Sequence, residues 1–260
     1  MLWVILAFAF AGVWVYAFYR EDIRNPEPIW LVGLAVAGGM VAVPVAMWVE
    51  ARLEQDPMAI YGSLASRAGL AFLVAGPVEE MAKFLAVALL IGFQSHFDEP
   101  MDGIVYAAAA AAGFALAENL LFLQDEPISI LARGPAATGA HILFAAFWGG
   151  ALGHAKHVAR RSNRFGLISV GLVLAFAAHG LFDMITWTVD RELSLNQARL
   201  AQVSLIAGCA LFLRWRIHDA LRSLPLQLPI HAVVATVDTE SLASSAESLE
   251  PESHHGAISR

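Results

Sequence analysis

Cysteine and lysine are nearly absent from this chain: 260 residues contain one cysteine, Cys209, and two lysines, Lys83 and Lys156. A single cysteine excludes an internal disulfide and a multi-cysteine metal centre. No basic stripe interleaved with aromatics occurs, so nucleic acid is not among the expected partners. No internal repeat is evident. Charged residues make up only 15% of the chain, against 58% hydrophobic residues and a mean hydropathy of +0.61. Soluble domains are less apolar than this, so the expected solvent is largely the lipid bilayer. The net charge of −7 is uneven. Residues 217–260 hold six acids against Arg222 and Arg260, which leaves −3 for residues 1–216 and assigns most of the acidity to a tail.

Apolar runs of membrane-spanning length occur at Met1–Tyr19, Ile29–Val49, Asp102–Leu123, Ala136–His157, Phe165–Val189 and Arg199–Trp215. The 61–93 stretch is interrupted by Gly76-Pro77, and proline breaks or starts a helix. It reads as a short first part, 61–76, and a continuing helix, 77–93, crossing once or forming a hairpin. The first span lacks a basic leading region and an A-x-A site, which fits an uncleaved anchor. The fold expected is therefore all-α: a polytopic transmembrane helix bundle of about seven spans over residues 1–216, with a polar, disordered cytoplasmic tail at 217–260. Within that tail, 226–236 could form a short strand or dock on the bundle, and His254-His255 is too short to argue a metal site.

Lys156, Arg160, Arg161 and Arg164 mark one loop as cytoplasmic by the positive-inside rule. Arg214, Arg216 and Arg222 put the C-terminal end on the same side, and Arg20 and Arg24 follow if 61–93 crosses once. The outer loops then carry Arg52, Arg133, Arg191 and Arg199. The expectation is a multi-pass protein of the plasma membrane with its N-terminus outside and its C-terminus in the cytoplasm.

Seven ionisable residues lie inside the apolar stretches: Glu79, Glu80, Lys83, Glu118, His141, His179 and Asp183. Each costs roughly 2.5–3.5 kcal/mol on insertion scales. In the orientation above, they share a depth between the midplane and the outer leaflet, which scattered structural charges would not. Each group also has a plainer structural reading. Glu79 and Lys83 are four apart and can pair on one helix face, while Glu80 points about 100° away; the carboxylates could simply stabilise a helix start at Pro77. Glu118-Asn119 follows the small-residue run Ala107–Gly113, which permits close helix approach, and could be a polar pair joining two helices. His141 stands alone, a common place for a structural histidine, with Gly149 and Gly153 near its stripe. His179 and Asp183 share a face, where the carboxylate fixes the tautomer of the imidazole or holds a metal ligand in place; a buried His–Asp lock is the plain alternative. His154 and His157 read as interfacial.

The order Glu79-Glu80-x-x-Lys83, Phe114-x-x-x-Glu118-Asn119, His141 and His179-x-x-x-Asp183 resembles the PrsW-type intramembrane proteases. It is also similar to the wider superfamily of CAAX prenyl endopeptidases and bacteriocin-processing proteins. Glu118 stands where that superfamily has histidine, and Asp183 where it often has asparagine; both departures resemble the PrsW branch. The likeness covers about residues 70–190. It implies an intramembrane endopeptidase acting on a membrane-anchored protein near the extracytoplasmic face, an anti-sigma factor cut at its first site being the implied example.

Under that resemblance, the expected catalytic residues are Glu79, Glu80, His179, His141 and Glu118, supported by Lys83, Asn119 and Asp183. Glu80 is favoured as the base that activates water, because Lys83 is expected to occupy Glu79. His179, oriented by Asp183, would activate the water or protonate the leaving amine, and His141 or Asn119 would stabilise the oxyanion. No cofactor is required in this reading. A rival chemistry has Glu118, His141, His179 and Glu80 (or Glu79) bind a divalent metal such as zinc. A further alternative from a different class is a non-enzymatic proton-coupled carrier or membrane binding protein.

Overall fold

The structure is a computed structural model that describes residues 1–22, 25–54, 59–189 and 191–222. Expectations for 223–260, including the strand or docking segment at 226–236, lie outside the described residues. The described chain is helical, with α1 Leu2–Glu21, α2 Ile29–Leu53, α3 Leu64–Leu70, α4 Gly76–Leu90, α5 Pro100–Phe122, α6 Ile130–His157, α7 Arg164–Trp187 and α8 Leu195–Arg222. Among the described residues, six of these helices (α1, α2, α5, α6, α7 and α8) are long and apolar enough to cross a membrane. The protein is a multi-pass helical membrane bundle.

The stretch between α2 and α5, expected as a further crossing, is composite. Five residues, Ala71–Ala75, form a π-helical turn between α3 and α4, so helical backbone runs without a gap from Leu64 to Leu90. Pro77 explains the wider turn. Its ring occupies the space of the carbonyl four residues back, and it has no N–H to donate there. Widening the backbone just upstream accommodates both defects, and such π-turns recur at functional sites. Within the 61–93 stretch, residues 64–90 are therefore one continuous run rather than a hairpin.

Helix boundaries differ from expectation in two places for local reasons. α6 begins at Ile130 and carries Pro135 inside it, instead of starting after that proline. α8 begins at Leu195, where the Ser194 backbone N–H donates to the Gln197 side chain at 3.0 Å and the Gln197 N–H donates to Ser194 Oγ at 3.4 Å, a reciprocal cap. α8 then continues past Trp215 to Arg222, so the apolar pattern ends before the helix does.

α5 is the central helix. Every residue from Pro100 to Leu116 is buried, whereas α8 and α1 bury little of their spans and lie at the periphery. The Ala107–Gly113 run makes that centrality possible, because backbones can approach closely where side chains are small. A Cβ at Gly39 of α2 would fall on the Ala110 carbonyl, and one at Gly153 of α6 on the Pro100 carbonyl. α2 and α6 thus press against α5 from two sides. At the far edge, buried Arg67 of α3 pairs with Glu192 in the α7–α8 loop and donates to the Gly62 carbonyl at 2.8 Å. The charge of Arg67, near the start of the 64–90 run, is thereby neutralised.

Candidate functional site

The π-turn presses against α7. A Cβ at Gly180 would come within 2.8 Å of the Ala71 carbonyl, and one at Gly76 within 2.9 Å of the Phe176 carbonyl. This contact brings the Glu79-Glu80 turn of α4 to His179 of α7. His179 Nδ1 lies 3.0 Å from Glu80 Oε1, and its Nε2 lies 3.4 Å from Glu79 Oε2 and 3.6 Å from Asp183 Oδ2.

Lys83 is fully buried and sits between α4 and α6. Its ammonium is 2.7 Å from Glu80 Oε1, 3.6 Å from Glu79 Oε2 and 3.0 Å from His141 Nδ1, and it lies 4.3 Å from the Phe114 ring centroid. The expected Glu79–Lys83 pair is present, but Glu80, expected to lack a local partner, is held as well. Lys83 holds Glu80, three residues away, more closely than Glu79, four residues away, since both spacings share a helix face. Glu80 is also bound from α6, where Trp148 Nε1 donates to its Oε2 at 2.9 Å. With both oxygens occupied and no exposure, Glu80 is a fixed anion that orients His179 and Lys83. Glu79 is the carboxylate with an oxygen, Oε2, that is buried and accepts no hydrogen bond.

His141 completes the group from α6. Its Nε2 is 2.8 Å from Glu118 Oε2 of α5, and its ring meets that of His179 edge-on at 5.0 Å between centroids. Donation from Nε2–H to Glu118 leaves Nδ1 as the acceptor facing Lys83 and, at 3.9 Å, Glu79 Oε2. Four helices thus bring Glu79, Glu80, Lys83, Glu118, His141, His179 and Asp183 into one connected set. Asn119 stands apart from it. Its amide donates to Thr138 Oγ1 at 3.2 Å, tying α5 to α6, and it does not line the cavity described next, which corrects its expected role at an oxyanion.

A cavity of about 310 Å³ opens beside this set, lined by Glu79, Glu118, His141, His179 and Asp183. An adjoining pocket of about 260 Å³ shares Glu79 and Glu118 and adds apolar walls from Val43, Ala46 and Met47 of α2 and from Phe114 and Leu121 of α5. The polar donors therefore face a space with an apolar flank, the usual composition of a small-ligand or peptide site.

Three lining or supporting residues were not anticipated. Glu50 lines both spaces and has a buried oxygen without a hydrogen-bond partner; it directly follows the apolar run that ends at Val49, and so reads as a loop residue. Arg133 lines the cavity with its Nε buried and unbonded and its guanidinium over the Phe122 ring, although its charge alone places it in an outer loop. Trp148 was legible in principle, since it follows His141 by seven residues and so shares its helix face.

The donors fit a metal ion. One atom each from Glu79, His141 and His179 lies within 4.8 Å of the others. A His₂-carboxylate set suits zinc with a position left for water. Each imidazole has its other nitrogen beside a carboxylate, Glu118 for His141 and Glu80 for His179, the outer support that orients histidine ligands. Lys83 competes for the same point, because its ammonium reaches His141 Nδ1.

Residues 26–212 match the model of a family described as PrsW family intramembrane metalloprotease. The chain is similar to Protease PrsW of Geobacillus kaustophilus, 31% identical over 175 residues, covering 67% of this chain and 75% of that protein. It is likewise similar to Protease PrsW of Bacillus subtilis, 31% identical over 169 residues, covering 65% and 75% respectively. A shorter match, 30% identical over 121 residues, is to Protease PrsW of Clostridioides difficile, covering 45% of this chain and 51% of that protein. No solved structure matches the chain significantly.

Proposed function

The chain belongs to the PrsW family of intramembrane proteases, and from that premise we propose that its cavity hydrolyses a peptide bond in a membrane-anchored protein by activating water at Glu79. The observation that carries this reading is the cavity-lining Glu79 Oε2, which accepts no hydrogen bond among the described residues and lies 3.4 Å from His179 Nε2. Water in the cavity, bridging both from one side, gives a proton to the carboxylate as it attacks the carbonyl carbon. His179, held through Nδ1 by Glu80, hands a proton to the departing amine. Lys83 keeps Glu80 ionised and His141 in register. Arg133 supplies the positive charge on the cavity wall that a tetrahedral oxyanion needs.

A metal-assisted version is favoured by one observation, the clustering of Glu79, His141 and His179 donor atoms. Zinc bound there would supply a Lewis acid and a water of lowered pKa. In either version, Glu80 and Glu118 act on the imidazoles and not on the substrate.

The substrate is a single-span protein whose helix unwinds beside the apolar walls of α2 and α5, and an anti-sigma factor is one protein of that form. Positive-inside counting puts the cavity at the extracytoplasmic side of the plasma membrane, with the N-terminus outside and the C-terminus in the cytoplasm.

The test is cleavage of a single-span reporter by the purified full-length chain in proteoliposomes. Loss of cleavage in Glu79→Gln, with helicity retained, supports the reading, and cleavage at the parent rate by that variant overturns it. Chelation separates the two versions: activity persisting after metal is stripped selects the metal-free one, and activity lost on stripping and restored by zinc selects the other.

A further inference from the structure

A second buried polar group lies at the opposite end of α5 from Glu118. Asp22 ends α1, Glu27 precedes α2, and Asp102 lies in the first turn of α5. All three are buried, at 0%, 2% and 0% exposure. One carboxylate oxygen from each lies within 4.8 Å of the others.

Their outer oxygens are held in place. Asp102 Oδ2 accepts the backbone N–H groups of Asp98 at 2.8 Å and Glu99 at 2.7 Å, and Glu27 Oε2 accepts from the Tyr106 hydroxyl. Among the described residues, their other oxygens, Asp102 Oδ1 and Glu27 Oε1, are buried and accept from no N–H or hydroxyl donor, while the two carboxyl groups lie within hydrogen-bonding reach of each other. Independently of that pair, both oxygens of fully buried Asp22 have no hydrogen-bond partner among the described residues. Among the described residues, no Lys, Arg or His nitrogen forms an ion pair with any of the three; Lys156, which lies in the same region, donates instead to the Gly92 carbonyl at 3.1 Å. A buried carboxylate with neither a donor nor a counter-charge is costly; Asp22 is in that position among the described residues, and two further buried carboxyl groups share its point. An all-oxygen set of this spacing selects a hard cation over zinc or copper. The carboxylates with a second oxygen fixed by a donor have the outer support that ligands require.

We propose that Asp22, Glu27 and Asp102 bind a hard divalent cation, Mg²⁺ or Ca²⁺, which ties the α1–α2 loop to the start of α5. The ion completes its shell with water. Its role is to clamp the end of the central helix, so it stabilises the bundle and does not take part in the cleavage chemistry.

The experiment uses the full-length protein in detergent, stripped with chelator and then titrated with Mg²⁺, Ca²⁺ and, as a luminescent stand-in, Tb³⁺, with Tyr106 as the neighbouring sensitiser. Saturable binding with one-to-one stoichiometry and a rise of several degrees in Tm support the proposal. Asp22→Asn is expected to weaken the affinity by about 10-fold or more, while the stripped variant melts no lower than the stripped parent. Asp102→Asn is less informative, because it also weakens the cap of α5. Absence of saturable Mg²⁺ or Ca²⁺ binding at millimolar concentration overturns the proposal. So does equal affinity in Asp22→Asn, or binding of zinc alone. These readouts do not involve cleavage, so they succeed or fail independently of the peptidase assignment.

Discussion

At the cavity end of the bundle, Glu79, Glu80, Glu118 and Asp183 share their space with Lys83, His141 and His179. At the other end, Asp22, Glu27 and Asp102 have no such basic partner among the described residues. The two groups hang on one helix, since Glu118 and Asp102 both belong to α5. The difference lies in where the compensating charge comes from. The cavity carries its own, on side chains that are also proton carriers, and among the described residues Glu79 Oε2 is the motif oxygen there that is buried without a hydrogen bond. The acid triad carries none, so its charge must be met by protons or by an ion from solution. Built-in compensation suits chemistry that must be ready before substrate arrives, and compensation from solution suits a clamp.

The largest effect expected of a single change falls on Glu79. Glu79→Gln keeps the shape and removes the basic oxygen, so reporter cleavage should fall by about 10³-fold, roughly 4 kcal/mol of barrier, with little change in Tm. If the loss instead follows Glu80→Gln alone, the roles of the two carboxylates are reversed. Lys83→Met comes next. It leaves Glu80 as a buried anion without its cation, which costs on the order of 3 kcal/mol of stability, read as a lowered Tm and reduced extraction yield. An unchanged Tm would mean that His179 and Trp148 alone neutralise Glu80. Glu118→Gln is milder. Glu118 acts through His141, so cleavage should drop by roughly 10–100-fold. In the metal-assisted version, that variant also loses zinc affinity; in the metal-free version, zinc has no effect on it.

The sequence already carried the helical class and most of the cavity. Membrane-length apolar runs and their intruding charges are composition signals, and they survive folding because lipid admits few alternatives to a helix. The motif residues Glu79, His179 and Asp183 sit on faces that four-residue spacing identifies, whereas His141 stood out only as an ionisable residue in an apolar run. Which carboxylate Lys83 would hold was not legible, because three- and four-residue spacings are equivalent on a helix and Trp148, which fixes Glu80, comes from another element. The direction of Asn119 was hidden for the same reason: Thr138 lies on α6 and captures its amide. The triad escaped notice because Asp22 and Glu27 stand in an interhelical loop and Asp102 reads as a helix start. Only the fold shows that their oxygens meet.

The smallest effect expected, and the one that most sharpens the contrast between the two ends, is a pH dependence. Burial, followed by the charges of Asp102, Glu99 and Asp98, raises Asp22 from 3.8 to about 7, and burial raises Glu27 as well. In chelator, the folded protein therefore holds a proton on Asp22 that the unfolded chain has released. Stability then falls as pH rises, because the folded state binds more protons, across the window from about 4 to about 7 set by those two values. Above it the penalty is complete, and below it the penalty is absent. Asp22→Asn removes the titrating group, so its Tm should decline less over that window than the parent's when both are stripped. Saturating Mg²⁺ or Ca²⁺ should close the gap by supplying the missing charge to the parent. Parallel Tm–pH curves for parent and variant in chelator would show that the carboxylate at the end of α1 does not change protonation on unfolding, and the contrast between a self-compensated end and an ion-dependent end would be lost.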